Sequence, residues 1–328
     1  MSLCPPCLTM CMSRHAHTRP IFPTAKLRDY NAREAALCQS IQARMVAASR
    51  SYELRQTSTI VFCAVDTIVP VRGKSSTGFE EFGARLDHAG LPIVWVTARS
   101  RLQMDEPRRK LGHQHPFIAE DGCGVYLPED YFHLRPAKTV RMGRFTCIPL
   151  AEVQPAAAQA LELLSEETGI STVPLRSLVP RELEQNTGLP ARDAELARQR
   201  DFDELFFFAG ASEADVQRFV AEAARRKIAL RQHGVLWSFA VGADLSRCIR
   251  ELSKLYDRAL RSRPTVLGIA TAAEGEGFLS ACDRGLILAK PFEFDSLSVA
   301  NRASKTKVLP LNSPELWDMV FFSVTSRS

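Results

Sequence analysis

The sequence predicts an α/β protein: a doubly wound parallel sheet into which an α+β domain is inserted. Strands, helices and short loops alternate from residue 57 to residue 135, as in a parallel sheet whose strands are joined by helices. The strand segments Ile60–Phe62 and Pro92–Val96 are apolar without alternation, which is typical of strands covered by helices on both faces. The pattern changes from about residue 136, and helix–strand alternation resumes near residue 241.

These changes divide the chain into an extension, a core and an inserted domain. Residues 1–55 are predicted to form a flexible N-terminal extension. Residues 57–135 and 241–328 are predicted to form the core, and residues 136–240 the inserted domain, which would lie over the core as a cap.

The extension carries a cysteine cluster, Cys4, Cys7 and Cys11. Its spacing matches no common zinc or iron–sulfur ligand pattern, and no second ligand pair follows it. We therefore expect a flexible tail there, and the start of the chain is either Met1 or Met45.

Composition excludes two classes of partner. The net charge is +5, and the basic residues are scattered among acidic ones, so no nucleic-acid-binding surface is indicated. No apolar run approaches the roughly 20 residues of a membrane span. The nine cysteines occur without a secretory signal, which favours reduced thiols and a cytoplasmic location.

The first half of the core alternates strands with amphipathic helices. A helix is predicted over Thr77–Ala89, with apolar residues on one face and Gly90 at its end. The next helix is predicted over Ser100–Gly112, interrupted or kinked at Pro107. A strand, a glycine-rich turn and another strand follow in HPFIAEDGCGVYLP.

The inserted domain and the return to the core are predicted from the same signals. The inserted elements are the short strand TCIPLA, helices Ala151–Thr168 and Ala191–Arg200, strand Glu204–Phe208, a helix with Ser212 as N-cap, and hairpin Ile228–Val241 with Gly234 at its turn. The later core elements are helix Leu245–Leu260, strands Thr265–Ile269 and Gly285–Ala289, and a terminal helix starting at Ser313-Pro314-Glu315.

Polar side chains follow the first two core strands. Asp66 lies in the turn after the first strand, and Thr97, Arg99 and Arg101 follow the second. Chemistry gathers at the carboxyl ends of strands in such sheets, so we expect these side chains to meet there. In the third strand's turn, Gly122 and Gly124 either let backbone N–H groups approach an anion or only turn the chain.

Four segments carry a family resemblance: VWVTARSR, HPFIAEDGCGVYLPEDYF, GLPARDAELARQRDFDELF and NSPELWDMV. In this order they resemble the mannosyl-3-phosphoglycerate phosphatases, a family of the haloacid dehalogenase (HAD) superfamily, over roughly Thr57 to Val324. The resemblance implies a HAD-like core with a C2-type cap. It also implies Mg²⁺-dependent removal of phosphate from a mannosyl phosphoglycerate, in which an aspartate attacks phosphorus and a second acid protonates the leaving oxygen.

The catalytic positions that the resemblance identifies are mostly apolar in this chain. The nucleophile falls on Ala64, the third-motif lysine on Leu245 and the metal-binding aspartate of the fourth motif on Ala270. Asp66 keeps the acid/base position and Thr97 the phosphate-binding hydroxyl. A further acidic position of the fourth motif falls on Glu274. Mg²⁺ prefers oxygen ligands and needs one or two carboxylates, so we expect its binding to be poor here.

The cap positions that the resemblance carries over are those of substrate binding. The family's R-x-x-x-E segment falls on Arg200 and Glu204, beside Arg99, Arg101, Gly122 and Gly124 of the core. Trp237 and Phe239 are interpreted as cap core, and the family's histidine in that strand falls on Ser238.

Two hypotheses on function follow. The first is a phosphatase-like protein without normal activity that retains phosphosugar binding or a regulatory role, with a protein partner possible. The alternative is a phosphatase of altered chemistry, in which Asp66 directs water onto a phosphate held by Thr97 and nearby arginines.

Overall fold

The computed structural model describes residues 58–70, 77–134, 136–272, 277–293 and 306–326. All of them belong to one compact unit, Ser49–Ser328. The predicted N-terminal extension, its cysteine cluster and its two candidate start residues lie outside the described residues, and so does Glu274.

Within the described residues, nine strands form one large sheet. They are β1 (Thr59–Ala64), β2 (Ile93–Val96), β3 (Phe117–Ala119), β4 (Gly124–Pro128), β5 (Val140–Met142), β6 (Phe145–Pro149), β11 (Thr265–Thr271), β12 (Arg284–Ala289) and β13 (Thr306–Pro310). Their spatial order is β13-β12-β11-β1-β2-β3-β4-β6-β5. The run from β13 to β3 is parallel, and β4, β6 and β5 extend it in antiparallel pairing. This confirms the predicted α/β fold class.

Helices cover both faces of this sheet. On one face lie α1 (Phe79–His88) and α8 (Leu316–Thr325), which pack on each other and on an apolar cluster that includes Val61 and Cys63. On the other face lies α7 (Leu245–Leu260), whose apolar side packs into a second cluster with Ile60 and Phe62. Alternate residues of β1 thus point into two separate cores, which explains its unbroken apolar sequence.

The helix α2 (Arg101–Lys110) differs from the prediction. Its N-cap is Ser100, which forms a capping box with Gln103, and of the predicted alternatives an interruption at Pro107 is absent, because the helix continues to Lys110. The carbonyl of Pro107 still accepts the N–H of Leu111 at 3.0 Å. A single proline removes one donor, and here the turns before and after it keep their hydrogen bonds.

The terminal helix also begins later than predicted. Residues from Ser313 to Glu315 form a turn in which the carbonyl of Ser313 accepts the N–H of Leu316 at 3.2 Å. Glu315 is the N-cap of α8, so the proline lies outside the helix.

A second sheet carries the inserted segment. Its strands, in spatial order, are β7 (Thr172–Pro174), β8 (Glu204–Phe208), β10 (Leu236–Val241) and β9 (Ile228–His233), all antiparallel. The helices of this segment are α3 (Gln154–Thr168), α4 (Pro180–Thr187), α5 (Ala191–Arg198) and α6 (Glu213–Arg225).

One face of the second sheet forms its own apolar core. Phe239 is fully buried there with residues of α3 and α6, and Trp237 packs beside it, in line with their interpretation as cap core. We keep residues 136–240 as the proposed cap segment. Its first two strands, β5 and β6, pair with the large sheet, and the sheet particular to the segment begins at Thr172.

In the part of the chain that the structure describes, no helix combines the length and the apolar character needed to cross a bilayer.

Candidate functional site

The polar residues predicted to meet at the carboxyl ends of β1 and β2 do so. Asp66 Oδ1 accepts a short hydrogen bond from the hydroxyl of Thr97, and Asp66 Oδ2 accepts one from the backbone N–H of Ala98 at 2.7 Å. The N–H of Arg99 donates to Thr97 Oγ1 at 3.1 Å. Both carboxylate oxygens of Asp66 are therefore engaged by the loop after β2.

Arg99 closes this loop from the other side. Its Nε lies 3.3 Å from Asp66 Oδ1, and its Nη2 donates to the carbonyl oxygens of Asp66 (3.1 Å) and Val69. The arginine is largely buried. A fixed positive charge consequently lies against both the carboxylate and the backbone carbonyl of Asp66.

The three apolar residues that the resemblance aligns with catalytic positions share one environment. Ala64, Leu245 and Ala270 are 5%, 7% and 0% exposed, and all three belong to the apolar cluster beneath α7. Cys63, the neighbour of Ala64, points into the opposite cluster, as expected from strand alternation. The positions where the family places a nucleophile, a lysine and a metal ligand are thus part of the hydrophobic core.

The described residues do not fit the magnesium ion that the fold family implies. Ala64 and Ala270 offer no oxygen atom in their side chains, and the carbonyl of Asp66 already accepts a hydrogen bond from Arg99. Throughout the described ranges, no group of three or more His, Cys, Asp or Glu side chains is placed to hold a metal. Mg²⁺ needs oxygen ligands in near-octahedral arrangement, which this loop does not present.

Arg101 and Arg200, which are predicted to bind substrate, form contacts between the proposed cap segment and the core. Arg101 binds the carboxylate of Asp201 with two hydrogen bonds of 2.9 and 3.3 Å. Arg200 forms a buried pair with Asp203 and donates to the carbonyl of Ala98 at 2.7 Å. These guanidinium groups hold protein acceptors, so their role in substrate binding stays a prediction.

Glu120 fastens the same segment from the core side. Its carboxylate accepts the backbone N–H groups of Asp201 (3.0 Å), Phe202 (2.8 Å) and Asp203 (3.1 Å). Burial, together with the nearby charge of Asp203, raises the pKa of Glu120. One buried carboxylate thus holds the backbone of three consecutive residues. No sequence pattern predicted this contact.

Glu204 lies inside the cap segment. Its side chain is 3% exposed, accepts a hydrogen bond from Gln154 and lies 3.3 Å from Nε of Arg176. Burial raises its pKa to about 7, although the charge of Arg176 acts in the opposite direction. The contact of Glu204 with substrate also stays a prediction.

Packing accounts for the two glycines of the turn. Gly122 has φ +95°, and a Cβ there would lie 2.6 Å from the Cα of Leu245. A Cβ on Gly124 would lie 2.7 Å from the ring of Phe202. Close packing against α7 and the cap segment therefore requires both glycines, and it is distinct from the two roles predicted for this turn, anion binding and a simple change of chain direction.

A group that the sequence did not single out lies between the cap hairpin and the core turn. Asp121 Oδ2 accepts hydrogen bonds from His233 Nε2 at 2.6 Å and from Ser238 Oγ at 3.1 Å. Arg231 pairs directly with Ser238 across β9 and β10, and His233 is two residues further along β9, so the three share one face. That face of the hairpin meets the core.

Electrostatics place His233 close to the Asp66 loop. Burial alone lowers its pKa, but the hydrogen bond and charge of Asp121 and the charge of Asp66 together raise it. Burial tends to raise the pKa of Asp121, and His233, Arg231 and Arg200 together lower it. The sequence contained one indication of this group, His233 next to the turn glycine Gly234 of the hairpin. Its partner Asp121 could not be predicted, because it is distant in the chain.

Sequence comparisons relate the chain to known phosphatases, although no family model matches it. A glucosyl-3-phosphoglycerate/mannosyl-3-phosphoglycerate phosphatase of Methanococcoides burtonii is 22% identical over 61% of this chain and 73% of its own length.

Two solved structures match over most of the chain. A phosphatase of the HAD superfamily from Bacteroides thetaiotaomicron has a TM-score of 0.54 at 14% identity, covering 82% of this chain and 96% of its own. A HAD subclass IIB sugar phosphatase has a TM-score of 0.52 at 12% identity, covering 81% and 99%.

The fold is therefore that of the HAD-like phosphatases with an inserted cap. Within that class, the chain is related in sequence to the mannosyl-3-phosphoglycerate phosphatases, and the resemblance drawn from its four segments is confirmed.

Proposed function

We propose that this protein is a relative of the mannosyl-3-phosphoglycerate phosphatases that binds a small phosphorylated sugar without normal phosphatase activity. One observation carries the proposal: Ala64, Leu245 and Ala270 lie together in a hydrophobic core. An alanine cannot attack phosphorus, and loss of a nucleophile typically lowers the rate by several powers of ten.

Binding is supported by the positive groups around the Asp66 loop. Arg99 Nη1 has no hydrogen-bond acceptor among the described residues, and the side chain of His233, which pairs with Asp121, is 34% exposed. Arg231 extends the same hairpin face. Charge-assisted hydrogen bonds from such groups are the strong ones for a phosphate ester, and Arg99 supplies fixed charge where the family uses a metal ion.

The alternative, a phosphatase of altered chemistry, requires Asp66 to activate water. Both of its carboxylate oxygens already accept hydrogen bonds from Thr97 and Ala98, and Arg99 lies against one of them. A base must reach the proton that it removes, so this carboxylate would first have to leave its partners. We therefore favour binding, and a regulatory contact with a protein partner is compatible with it.

The location that we propose is a reducing one, the cytoplasm. Cys63, Cys123, Cys147 and Cys248 are all buried in the two core clusters or beside them. Small buried thiols of this kind are typical of proteins whose cysteines stay reduced.

The direct test is titration calorimetry of the purified chain with mannosyl-3-phosphoglycerate, once with Mg²⁺ and once with a chelator. We expect saturable binding of equal affinity in both. His233→Gln and Arg231→Ala should each weaken it about tenfold, because each removes a charge-assisted contact. Arg181→Ala is the matched control, since Arg181 is exposed on α4 in the cap segment and has no ion pair within the described chain.

Two results would overturn the proposal. One is an absence of saturable heat for the sugar phosphate. The other is binding that appears only when Mg²⁺ is present, because the residues around Asp66 would then hold a metal after all.

A further inference from the structure

A cavity of about 400 Å³ lies at the edge of the large sheet opposite the Asp66 loop. Its lining includes Arg108, Arg109, His113 and Arg144. His113 Nε2 lies 2.8 Å from the carbonyl of Ile93, the first residue of β2, whereas the candidate site follows the last residue of that strand. The cavity is therefore separate from the site described above.

Arg108 is a buried cation without an acidic partner. It is 4% exposed, and its Nε and Nη2 donate to His113 Nδ1 (3.0 Å) and to the carbonyl of His115 (2.8 Å). Among the described residues, no carboxylate forms an ion pair with it. Burial of an unpaired charge is costly, so such a residue normally has a compensating anion.

One nitrogen of this guanidinium, Nη1, is free to bind a ligand. Nη1 of Arg108 donates to no acceptor within the described ranges. In those ranges the one side-chain nitrogen or oxygen atom that is both fully enclosed and without a partner is Ser253 Oγ. Nη1 is therefore accessible, and Arg108 lines the cavity.

The rest of the lining is also positive. Arg109 is exposed and has no ion pair in the described structure, and Arg144 forms an ion pair with Asp105 at 2.9 Å. The one acid of the lining, Glu129, is engaged by Arg141 at 3.1 Å. Burial lowers the pKa of His113 well below its usual value, so this imidazole is neutral and accepts from Arg108.

A packing role for Arg108 does not account for its charge. Its guanidinium lies 4.3 Å from the ring centre of Phe117 and 5.0 Å from that of Phe145, which holds it in place. Burial and the nearby Arg144 lower the pKa of Arg108 to about 9, although the charge of Asp105 acts in the opposite direction, so the cation persists at neutral pH. An uncharged side chain would fill the same space without burying a charge.

The geometry points to a second anion site, in which Arg108 Nη1, Arg109 and Arg144 bind a small dianion such as a phosphate monoester. The volume lies within the range of small-molecule sites. Arginine forks are well suited to phosphate oxygens, and three of them converge on this cavity.

The test is titration calorimetry of the full chain with inorganic phosphate, with chloride at equal ionic strength as the reference. We expect saturable phosphate binding that Arg109→Ala and Arg144→Ala each weaken about tenfold or more, since each change removes an exposed positive charge from the lining. Arg181→Ala removes an equally exposed charge elsewhere and should leave the affinity unchanged.

His233→Gln and Arg231→Ala separate the two sites, because both side chains belong to the binding site proposed near Asp66. Phosphate binding that survives these two changes and falls with Arg109→Ala and Arg144→Ala supports a second site. Binding that His233→Gln or Arg231→Ala abolishes while Arg109→Ala and Arg144→Ala leave it unchanged, or an absence of saturable heat beyond that of chloride, would overturn it.

Discussion

At the scale of single residues, three side chains decide what the Asp66 loop can do. Ala64, Leu245 and Ala270 sit where the family has a nucleophile, a lysine and a metal ligand, and each is buried among apolar neighbours. Arg99 lies against the carbonyl of Asp66 in addition. The proposal that activity is lost therefore rests on three positions that lie together in the hydrophobic core, and not on Ala64 alone.

Restoring the nucleophile alone should not restore activity. Ala64→Asp places a carboxylate in the apolar cluster, so we expect no Mg²⁺-dependent phosphate release and a loss of about 2–4 kcal/mol in the free energy of unfolding. Denaturant unfolding and a phosphate assay on the same preparation measure both.

Ala221→Asp is the control, because Ala221 is exposed on α6 and the change there should cost under about 0.5 kcal/mol. Mg²⁺-dependent turnover by Ala64→Asp would contradict the view that Leu245 and Ala270 have removed the rest of the site.

The glycine of the core turn gives a second prediction at this scale. In Gly122→Ala the added Cβ would meet the backbone of Leu245 at 2.6 Å in a left-handed conformation, so we expect a loss of about 2–4 kcal/mol.

Gly169→Ala separates conformation from packing. Gly169 has a similarly positive φ of +68° but no atom within 4 Å of a Cβ, so only the conformational cost of about 1 kcal/mol should appear. Chemical denaturation of both variants is the measurement, and equal losses would show that the contact with Leu245 is not what requires the glycine.

Some residues of the site were predictable and others were not. Asp66, Thr97 and Arg99 follow adjacent parallel strands, so their meeting follows from topology. Arg200 and Glu204 were read as substrate contacts by resemblance, but their partners, Asp203 and Gln154, depend on how the cap segment packs. Sequence spacing does not contain that information.

At the scale of elements, the hairpin of β9 and β10 is the part of the cap that meets the core turn. His233 and Ser238 reach Asp121 from this hairpin. The hairpin was predictable from Gly234 between two apolar runs, whereas its docking on Asp121 was not, because that contact joins residues more than a hundred positions apart.

This contact should depend on pH. The pKa of His233 is raised in the folded protein, so its stabilising contribution is complete below its ordinary value and is lost as pH rises through the raised value. We expect the free energy of unfolding of the wild type to exceed that of His233→Gln by about 0.5–1 kcal/mol at about pH 6, allowing for solvent screening. At about pH 9 the two free energies should be almost equal.

Thermal unfolding of both proteins across that pH range measures this difference in stability. Other titrating groups such as Glu204 contribute equally to both proteins, so their contributions cancel. In an Asp121→Asn background the difference between His233 and Gln should lose its pH dependence. A wild-type advantage that is constant with pH would mean that the pair does not titrate as described.

The helices and strands that the sequence did not predict are short and bury few residues. The helix α4 lies in a proline-punctuated stretch and buries only Leu183. The strand β13 buries only Leu309. Long, periodic elements such as α7 were predicted with their bounds, because eight buried positions repeat along one face.

At the scale of the whole molecule, the sequence predicted a doubly wound sheet with an insertion, and the fold class is confirmed. What it did not predict is the antiparallel end of the sheet formed by β4, β6 and β5. The strand β5 has three residues and little burial, so its pairing is decided by its neighbours rather than by its own pattern.

We propose that this molecule combines the fold of a phosphatase with a site for a phosphorylated sugar, and that it lacks the groups needed to cleave that ligand. The arginines that the family pattern assigned to substrate now join cap to core, and Arg99 stands against the carbonyl of Asp66. A protein of this kind should bind its ligand without a metal and leave it intact.

The most direct measurement is phosphate release from mannosyl-3-phosphoglycerate with Mg²⁺, scored in the same samples in which binding is measured. Wild type is compared with an Asp66→Asn, Thr97→Ala double variant, which removes the two polar groups that keep their family positions. We predict a binding signal from wild type and no phosphate release above the double variant. Release clearly above that control would contradict the account, because it would show that the site has found another route to the reaction.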